Sequence, residues 1–472
     1  MIGAIVNKEL NTFFRSGVFI SLSIAVIALL ASAAALSAQR IATFERERMA
    51  AESTDREVWD NQGERNPHSA AHFSRYAFKP VSALVAFDPG VTDYAGLAVW
   101  MEAHSQNPAV FRRAEDLGDA GRIADLSPAW VLQYITPLFL FLILFGAVAG
   151  EREQGTLRQM AASGVTARAL LFGKLTSAGA AIAAIIIPAL LLSLWAAASA
   201  SDNTALPDTL ARMIGLFAAY AVYFVALAGI AIGVSALCRE KRAALLALVG
   251  LWALSLVLAP RLAAGVATIA YPEANPAQLS RDLSAASNAF YQDDEYREQI
   301  EKAILEEYNV DSVEDLPVEY GAYTLQKSEE HAHPLFEAFY AGINDNHRNQ
   351  EKVLHAFSIF SPVLALENLS AGLSGSDRHH QIAFAKAAEM HRRIIVKQLN
   401  DDYMFNAGDA GYGYSAGEAL WSDVPDFEFV APRFASLTTN YLFSVVVLAG
   451  YALFGVGFAA AMLRRAQGKV AA

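Results

Sequence analysis

The sequence is poor in cysteine and in charge. Cys238 is the one cysteine in 472 residues, which excludes an internal disulfide and the class of secreted folds that disulfides hold together. Only 18% of the residues are charged, whereas about 25% is usual for a soluble domain. The net charge of −12 also argues against nucleic acid as a partner, because nucleic-acid-binding proteins present a basic surface.

Motifs for nucleotide binding and hydrolysis are missing as well. A Walker A loop needs Gly, four residues and then Gly-Lys-Ser/Thr, but Gly164 and Gly173-Lys174 have the wrong spacing and Leu175 follows. There is no His-Glu-x-x-His, and Gly372-Leu-Ser-Gly375 is one residue short of a nucleophile elbow. We therefore expect no enzyme activity and no cofactor in this chain, with a membrane-anchored hydrolase as the alternative class.

Long uncharged runs are abundant, and each can cross a bilayer, which takes about 20 apolar residues. Only helices satisfy their backbone in lipid as single continuous runs of this length. The predicted fold class is an all-α integral membrane protein with six transmembrane helices and two mostly helical extracytoplasmic domains. The predicted order is an interfacial helix 1–15, spans 16–38, 127–150, 175–201, 213–238, 243–270 and 438–463, a cytoplasmic loop 151–174, and periplasmic domains 39–126 and 271–437.

Loop charge predicts the orientation, because cytoplasmic loops carry an excess of Lys and Arg. With the N-terminus inside, the short inside segments contain twelve basic and four acidic residues. The segment 271–437 contains 28 acidic and 12 basic residues, and the first long segment, 39–125, contains 14 and 10. The sequence thus predicts a multi-pass protein of the bacterial inner membrane with both termini in the cytoplasm.

Two cytoplasmic features have amphipathic patterns. In residues 1–15, apolar side chains such as Ile5 and Phe13 share one helical face, which predicts a short helix in the membrane interface. Between spans two and three, Glu151-Arg-Glu-Gln-Gly-Thr-Leu-Arg-Gln-Met160 predicts a short surface helix whose Leu157, Met160 and Ala161 form a docking face. From spacing alone, a solvated connecting loop is an equally good interpretation.

Glu-Arg-Glu-x-Gly-Thr-Leu-Arg, followed by Gly-Val and the distal Gly173-Lys174, resembles the first cytoplasmic loop of ABC-2 type permeases. Asn66-Pro-His-Ser-Ala-Ala-His72, Phe87-Asp-Pro-Gly90 and Gly375-Ser-Asp-Arg-His-His380 resemble a subfamily with large periplasmic insertions of unassigned function. The resemblance implies a permease that works as a homodimer or heterodimer in membrane lipid, driven by a separate ATP-binding subunit. It implies that the coupling contact with the cytosolic ATPase comes from Glu151, Arg152, Glu153, Gly155, Thr156, Leu157 and Arg158.

The ten histidines all lie outside the predicted spans. His68 and His72 are four apart and would share a helix face, while His331 and His333 follow two glutamates, so these four are weak metal-ligand candidates. Histidine also simply avoids lipid, and the sequence predicts no metal site.

The predicted function is export of an unidentified substrate across the inner membrane. Two alternatives remain open: ATP-driven force transmission to a periplasmic partner without a substrate path, and delivery of a metal or cofactor to an exported protein.

Overall fold

The computed structural model describes residues 1–116, 126–200, 206–273, 275–291 and 293–471. Within them, six helices are long and apolar enough to cross a membrane, so the chain is an all-α multi-pass membrane protein, as the sequence predicted. Residue 201 of the third predicted span and residues 117–125 of the first predicted domain lie outside the described residues. Spans 1 to 6 are Gly17–Asp60, Pro128–Glu153, Ala167–Pro188, Pro207–Leu237, Lys241–Ala270 and Thr438–Lys469.

The spans fall into a central and a peripheral group. In spans 2, 3 and 4, 61%, 50% and 67% of the most apolar window is buried within the chain, against 22%, 17% and 22% in spans 1, 5 and 6. The apolar side chains of the second group therefore face outward, toward lipid or another chain.

Spans 4 and 6 pack with their backbones in close contact. A Cβ added at Gly229 would lie 2.5 Å from the backbone carbon of Gly455, and one at Gly233 would lie 2.3 Å from the ring of Phe458. Glycines spaced four apart allow helices to approach in this way. This Gly-x-x-x-Gly surface of span 4 therefore packs against span 6 of the same chain.

Several helices continue past the predicted span boundaries. The helix that begins at Gly17 ends only at Asp60, and at 1.5 Å per residue its 44 residues extend about twice the ~30 Å of a hydrocarbon core. The helix of span 3 runs from Ala167 to Ala200. Span 2 comprises the helices Pro128–Trp130, Thr136–Leu144 and Ala149–Glu153, and span 5 the helices Lys241–Leu251 and Ala259–Ala270.

Each of these two composite spans contains a π-helical segment, Val131–Ile135 and Trp252–Leu258. Pro137 and Pro260 lie just after them. Proline lacks the amide hydrogen and its ring crowds the preceding turn, so the helix widens there instead of ending.

The two long segments between spans fold together into one region, which we call the connecting region (residues 61–116 and 271–433). A two-stranded antiparallel sheet pairs Tyr76–Phe78 with Ala98–Trp100, and the other elements described there are mostly helices. The core contains Phe384, Leu399 and Trp421 against Trp59 at the end of the span 1 helix. The helices are Pro67–Phe73, Arg113–Asp116, Pro276–Tyr291, Asp294–Tyr308, Tyr320–Phe357, Pro362–Ser374, Arg378–Asn406 and Glu418–Asp423, with 3-10 turns at Ala83–Ala86, Val313–Asp315 and Gly408–Gly413.

One of these helices, Pro362–Ser374, is buried in the span bundle. It contacts spans 4 and 6, and a Cβ at Gly372 would lie 2.2 Å from the Tyr441 ring. The turn Phe87–Gly90 packs beside it, where Asp88 accepts a 2.5 Å hydrogen bond from Ser370. Ser370 also lies 3.2 Å from the hydroxyl of Tyr220 in span 4, so a buried polar contact joins the connecting region to the spans.

Candidate functional sites: the span 2–3 loop and a histidine cluster

The loop between spans 2 and 3 is a helix–turn–helix. Span 2 ends in the short helix Ala149–Glu153, and a second short helix follows at Thr156–Ala162. Gly155 joins them with φ of +76° and nothing within 4 Å of an added Cβ. The glycine is therefore required for its left-handed backbone rather than for space.

The inner side of this loop is held by a group of four charges, which we call the ion cluster (Lys8, Glu9, Glu151 and Lys174), of which the last three are buried and Lys8 is exposed at the edge. Lys174 donates to Glu9 at 2.9 Å and lies 3.9 Å from Glu151. Lys8 bonds Glu151 and is 3.1 Å from Glu9. The two acids and two bases balance in charge, as burial requires.

The ion cluster depends on the N-terminal helix Ile2–Arg15. Its buried residues are Ile5, Glu9 and Phe13, so the inward stripe that the sequence predicted as apolar contains a glutamate at its centre. Burial alone would raise the pKa of Glu9, but Lys174 and Lys8 outweigh it and lower that pKa. A Cβ at Gly173 would lie 2.5 Å from Ile5, so this glycine lets the two helices approach.

The loop is also bonded to spans 4 and 5. Arg152 donates to the carbonyl of Ala236 at 2.7 Å and to that of Cys238, which satisfies two carbonyls at the end of a helix. Glu153 accepts a 2.7 Å bond from the Lys241 amide at the start of span 5.

The predicted coupling residues differ in how far solvent reaches them. Leu157 is 1% exposed and packs in the main core, with Met160 half-buried beside it. The face predicted for docking from Leu157, Met160 and Ala161 is therefore turned inward, and the reason is its apolar character. Glu151 and Leu157 are buried, Arg152 and Thr156 are half-buried, and Glu153, Gly155 and Arg158 are exposed.

A second cluster of functional side chains lies in the connecting region. His68 and His72 lie on the helix Pro67–Phe73, and His104 follows the strand Ala98–Trp100. One nitrogen from each of the three rings lies within 4.8 Å of the other two. The Nε2 atoms of His68 and His104 are 3.2 Å apart. His68 is buried, His104 is half-buried and His72 is exposed, so the cluster lies at the edge of the core and opens to solvent.

A buried carboxylate, Glu329, lies beside this histidine cluster. Glu329 is 2% exposed and binds His104 Nδ1 at 2.9 Å and Arg392 at 3.0 Å. Burial would raise the pKa of Glu329, but these two partners hold it at about 2. Burial lowers the pKa of His68 to about 4, with smaller contributions from His104 and His72.

The structure brings together two of the four histidines that the sequence singled out. His331 is exposed and stacks on Tyr296 with ring centroids 3.7 Å apart, and His333 is half-buried elsewhere on the same helix. His104 takes their place. Sequence spacing could not find it, because 32 residues separate it from His72 and only the fold brings them together.

Comparison with protein-family models finds a match to part of the chain. The model of a family described as "Domain of unknown function (DUF3526)" matches residues 277–430, which include Glu329 and most of the connecting region after span 5. No curated protein matches the sequence.

Proposed function

We propose that this chain is the permease subunit of an ABC transporter and exports a substrate across the bacterial inner membrane, driven by a separate cytosolic ATPase. The observation that carries the proposal is the attachment of the loop Glu151–Arg158. Its outer side is exposed, whereas its inner side is bonded to the N-terminal helix and to spans 3, 4 and 5. A partner that displaced this loop would move all of these elements together.

The sequence resemblance to ABC-2 type permeases supplies the identity of that partner. The docking surface is revised to the side of the loop that solvent reaches, with Glu153, Gly155 and Arg158 as contact residues. Glu151, Thr156 and Leu157 shape the loop from beneath. Arg152 joins it to span 4.

Assembly into a permease dimer would also explain the outward apolar faces of three spans. Spans 1, 5 and 6 are little buried within the chain, and a permease dimer, with itself or with a related chain, would cover part of that surface. Both termini would lie in the cytoplasm, and the connecting region would lie in the periplasm, in agreement with the loop charges.

The test is affinity purification of the chain from its native membrane, followed by an assay of ATP hydrolysis and identification of the bound subunit. We expect an ATPase to co-purify, and Arg158→Glu to release it without changing the thermal unfolding of the permease. Arg281→Glu is the matched control. Arg281 is also exposed but follows span 5 rather than span 2, so it lies on the opposite side of the membrane. A wild-type chain without ATPase, or an Arg158→Glu variant that retains it, contradicts the proposal.

Force transmission to a periplasmic partner is a second candidate, and the seating of the connecting region favours it. Arg212 of span 4 donates to the carbonyls of Gly372 at 3.3 Å and Pro432 at 2.5 Å. Movement of span 4 would therefore move the connecting region. A transport assay with reconstituted ATPase distinguishes the two, since only the permease proposal requires ATP-dependent loss of a substrate from one side of the membrane.

A further inference from the structure

The histidine cluster brings one ring nitrogen of His68 and one of His104 face to face. His104 Nδ1 contacts the Glu329 carboxylate at 2.9 Å, and a carboxylate can only accept, so this nitrogen carries the hydrogen. The other ring nitrogen of neutral His104, Nε2, is then unprotonated. It points at His68 Nε2 from 3.2 Å.

His68 Nδ1 and the oxygen of the neighbouring Asn400 side chain are both buried without a hydrogen bond in the described part of the chain. The Asn400 nitrogen donates to Gln326 at 3.1 Å. A cation bound between the two Nε2 atoms would require each ring to carry its hydrogen on Nδ1, where Asn400 and Glu329 each offer an oxygen as acceptor.

We propose that His68, His72 and His104 bind one divalent transition-metal ion, with Zn²⁺ as the best fit. Two nitrogens bound at 2.0–2.1 Å to a tetrahedral ion lie about 3.3 Å apart, close to the 3.2 Å between His68 and His104. His72 reaches the same point after a small side-chain rotation, since all three ligand atoms lie within 4.8 Å of one another.

The surroundings match those of a metal site. A buried carboxylate that accepts from the second nitrogen of a ligating histidine fixes the ring and raises its basicity, and Glu329 does this for His104. Arg392 donates to that carboxylate at 3.0 Å, and Glu389 in turn accepts from Arg392 at 2.8 Å. Three imidazoles without a thiolate suit Zn²⁺, Cu²⁺ or Ni²⁺ rather than Mg²⁺ or Ca²⁺.

The position of the site suggests what the ion does. Its three ligands come from the segment before span 2, whereas Glu329 comes from the segment after span 5. A bound ion would join the two halves of the connecting region. Three protein ligands at an edge that opens to solvent leave a fourth position for water or another ligand, as in labile and catalytic zinc sites.

The experiment uses the full-length chain in detergent, stripped of metal with a chelator and dialysed. Zn²⁺ is titrated with thermal unfolding as one readout, and bound metal is counted by elemental analysis after gel filtration. Co²⁺ is then substituted, since its visible absorption reports tetrahedral nitrogen ligation. We expect one ion per chain, a higher unfolding temperature with metal, and an intense Co²⁺ band.

Three variants assign the site. His72→Ala removes an exposed ligand, so we expect an intact fold and an affinity at least about 100-fold weaker. Glu329→Gln keeps the shape but weakens the support of His104, which costs about 10–100-fold in affinity at such positions. His331→Ala removes an exposed histidine outside the cluster and should bind metal like the wild type.

Two results overturn the proposal. One is a wild-type chain that binds no Zn²⁺, Cu²⁺ or Ni²⁺ at micromolar concentration. The other is stoichiometric binding that survives His72→Ala unchanged, or that His331→Ala removes equally, because the ion then binds elsewhere. If Glu329→Gln fails to fold, His72→Ala decides the question by itself, as His72 contributes little to the core. None of these results depends on whether an ATPase partner is found.

Discussion

Replacing Lys174 by methionine tests whether the ion cluster holds the span 2–3 loop in place. Lys174 is 1% exposed and donates to Glu9 at 2.9 Å. Removing one partner of a buried pair costs about 3–5 kcal/mol, because the other charge stays buried without compensation. Lys8 lies 3.1 Å from Glu9 and retains part of the compensation, so we expect the lower end, about 3 kcal/mol.

The assay is thermal unfolding of the purified chain in detergent, followed by light scattering and tryptophan fluorescence. At about 2 °C per kcal/mol in a large domain, Lys174→Met should lower the apparent unfolding temperature by on the order of 5 °C. Arg168→Met is the matched control, since Arg168 is exposed on the same helix, and it should stay within about 1 °C of the wild type.

The double variant Glu9→Gln with Lys174→Met completes the cycle. With both charges gone, no buried charge lacks a partner, and replacement of a buried pair by uncharged groups is close to neutral. We therefore expect the double variant to be more stable than Lys174→Met alone. Additive losses, or a Lys174→Met variant as stable as the control, would refute the idea that this pair is electrostatically coupled.

Two further changes test the packing of spans 4 and 6 and of the connecting region. Gly229→Leu places a Cβ 2.5 Å from the backbone of Gly455, so overpacking should destabilise the chain by about 1–3 kcal/mol in the same unfolding assay. Gly250→Leu is the control and should leave the stability unchanged, because no atom lies within 4 Å of the added Cβ. Burial would raise the pKa of Asp377, but bonds from His380 outweigh this effect and lower that pKa. The charged carboxylate therefore stabilises the fold, and Asp377→Asn should lose about 1.5–3 kcal/mol of unfolding free energy at neutral pH. When unfolding is measured against pH, the difference from the wild type should shrink as the pH falls below 3.8, the ordinary pKa of the group.

The six spans could be predicted because the bilayer imposes one strong requirement, a long uncharged helix, that a single sequence records directly. The ends of these helices could not. The helix of span 1 continues to Asp60 because its polar second half packs with Trp421 and Val424 of the connecting region. Tertiary contact of this kind leaves no periodic signal in the sequence.

The burial of the helix Pro362–Ser374 among the spans could not be predicted, for a related reason. It has 13 residues, too few to span a bilayer, and it lies between polar segments, so its burial among spans 4 and 6 is invisible to a search for apolar runs. Gly372 is the residue that permits this burial, because its lack of a side chain leaves room for the Tyr441 ring. The sequence alone does not show which residue packs against a helical glycine, so Gly372 could not be used to predict the contact.

The candidate sites show the same contrast. The motif from Glu151 to Arg158 identified the loop, but not which residues face inward. Leu157 was predicted to face a docking partner, but it packs in the core. Burial against the spans removes its apolar surface from water within the chain itself, which stabilises the fold without any partner. Lys174 was a signal that could have been used, because it lies inside a helix whose other charge is Arg168 near its start, and a charge in that position needs a buried counter-ion.

Span 4 joins the two ends of the molecule in one continuous helix. Near one end, Ser235 donates to the Phe145 carbonyl at 2.7 Å and accepts from the Val148 and Ala149 amides at 2.9 and 3.1 Å. Near the other, Arg212 bonds the connecting region. Arg212 and Ser235 are 23 positions apart in this helix, a distance of about 35 Å along its axis. If the span 2–3 loop moves and the bonds to Ser235 stay intact, span 4 must move with it. The connecting region must then move too, because Arg212 bonds it to span 4. The two proposed functions, transport and force transmission, would therefore share this first step, and they would differ in whether the moving spans open a path for a substrate.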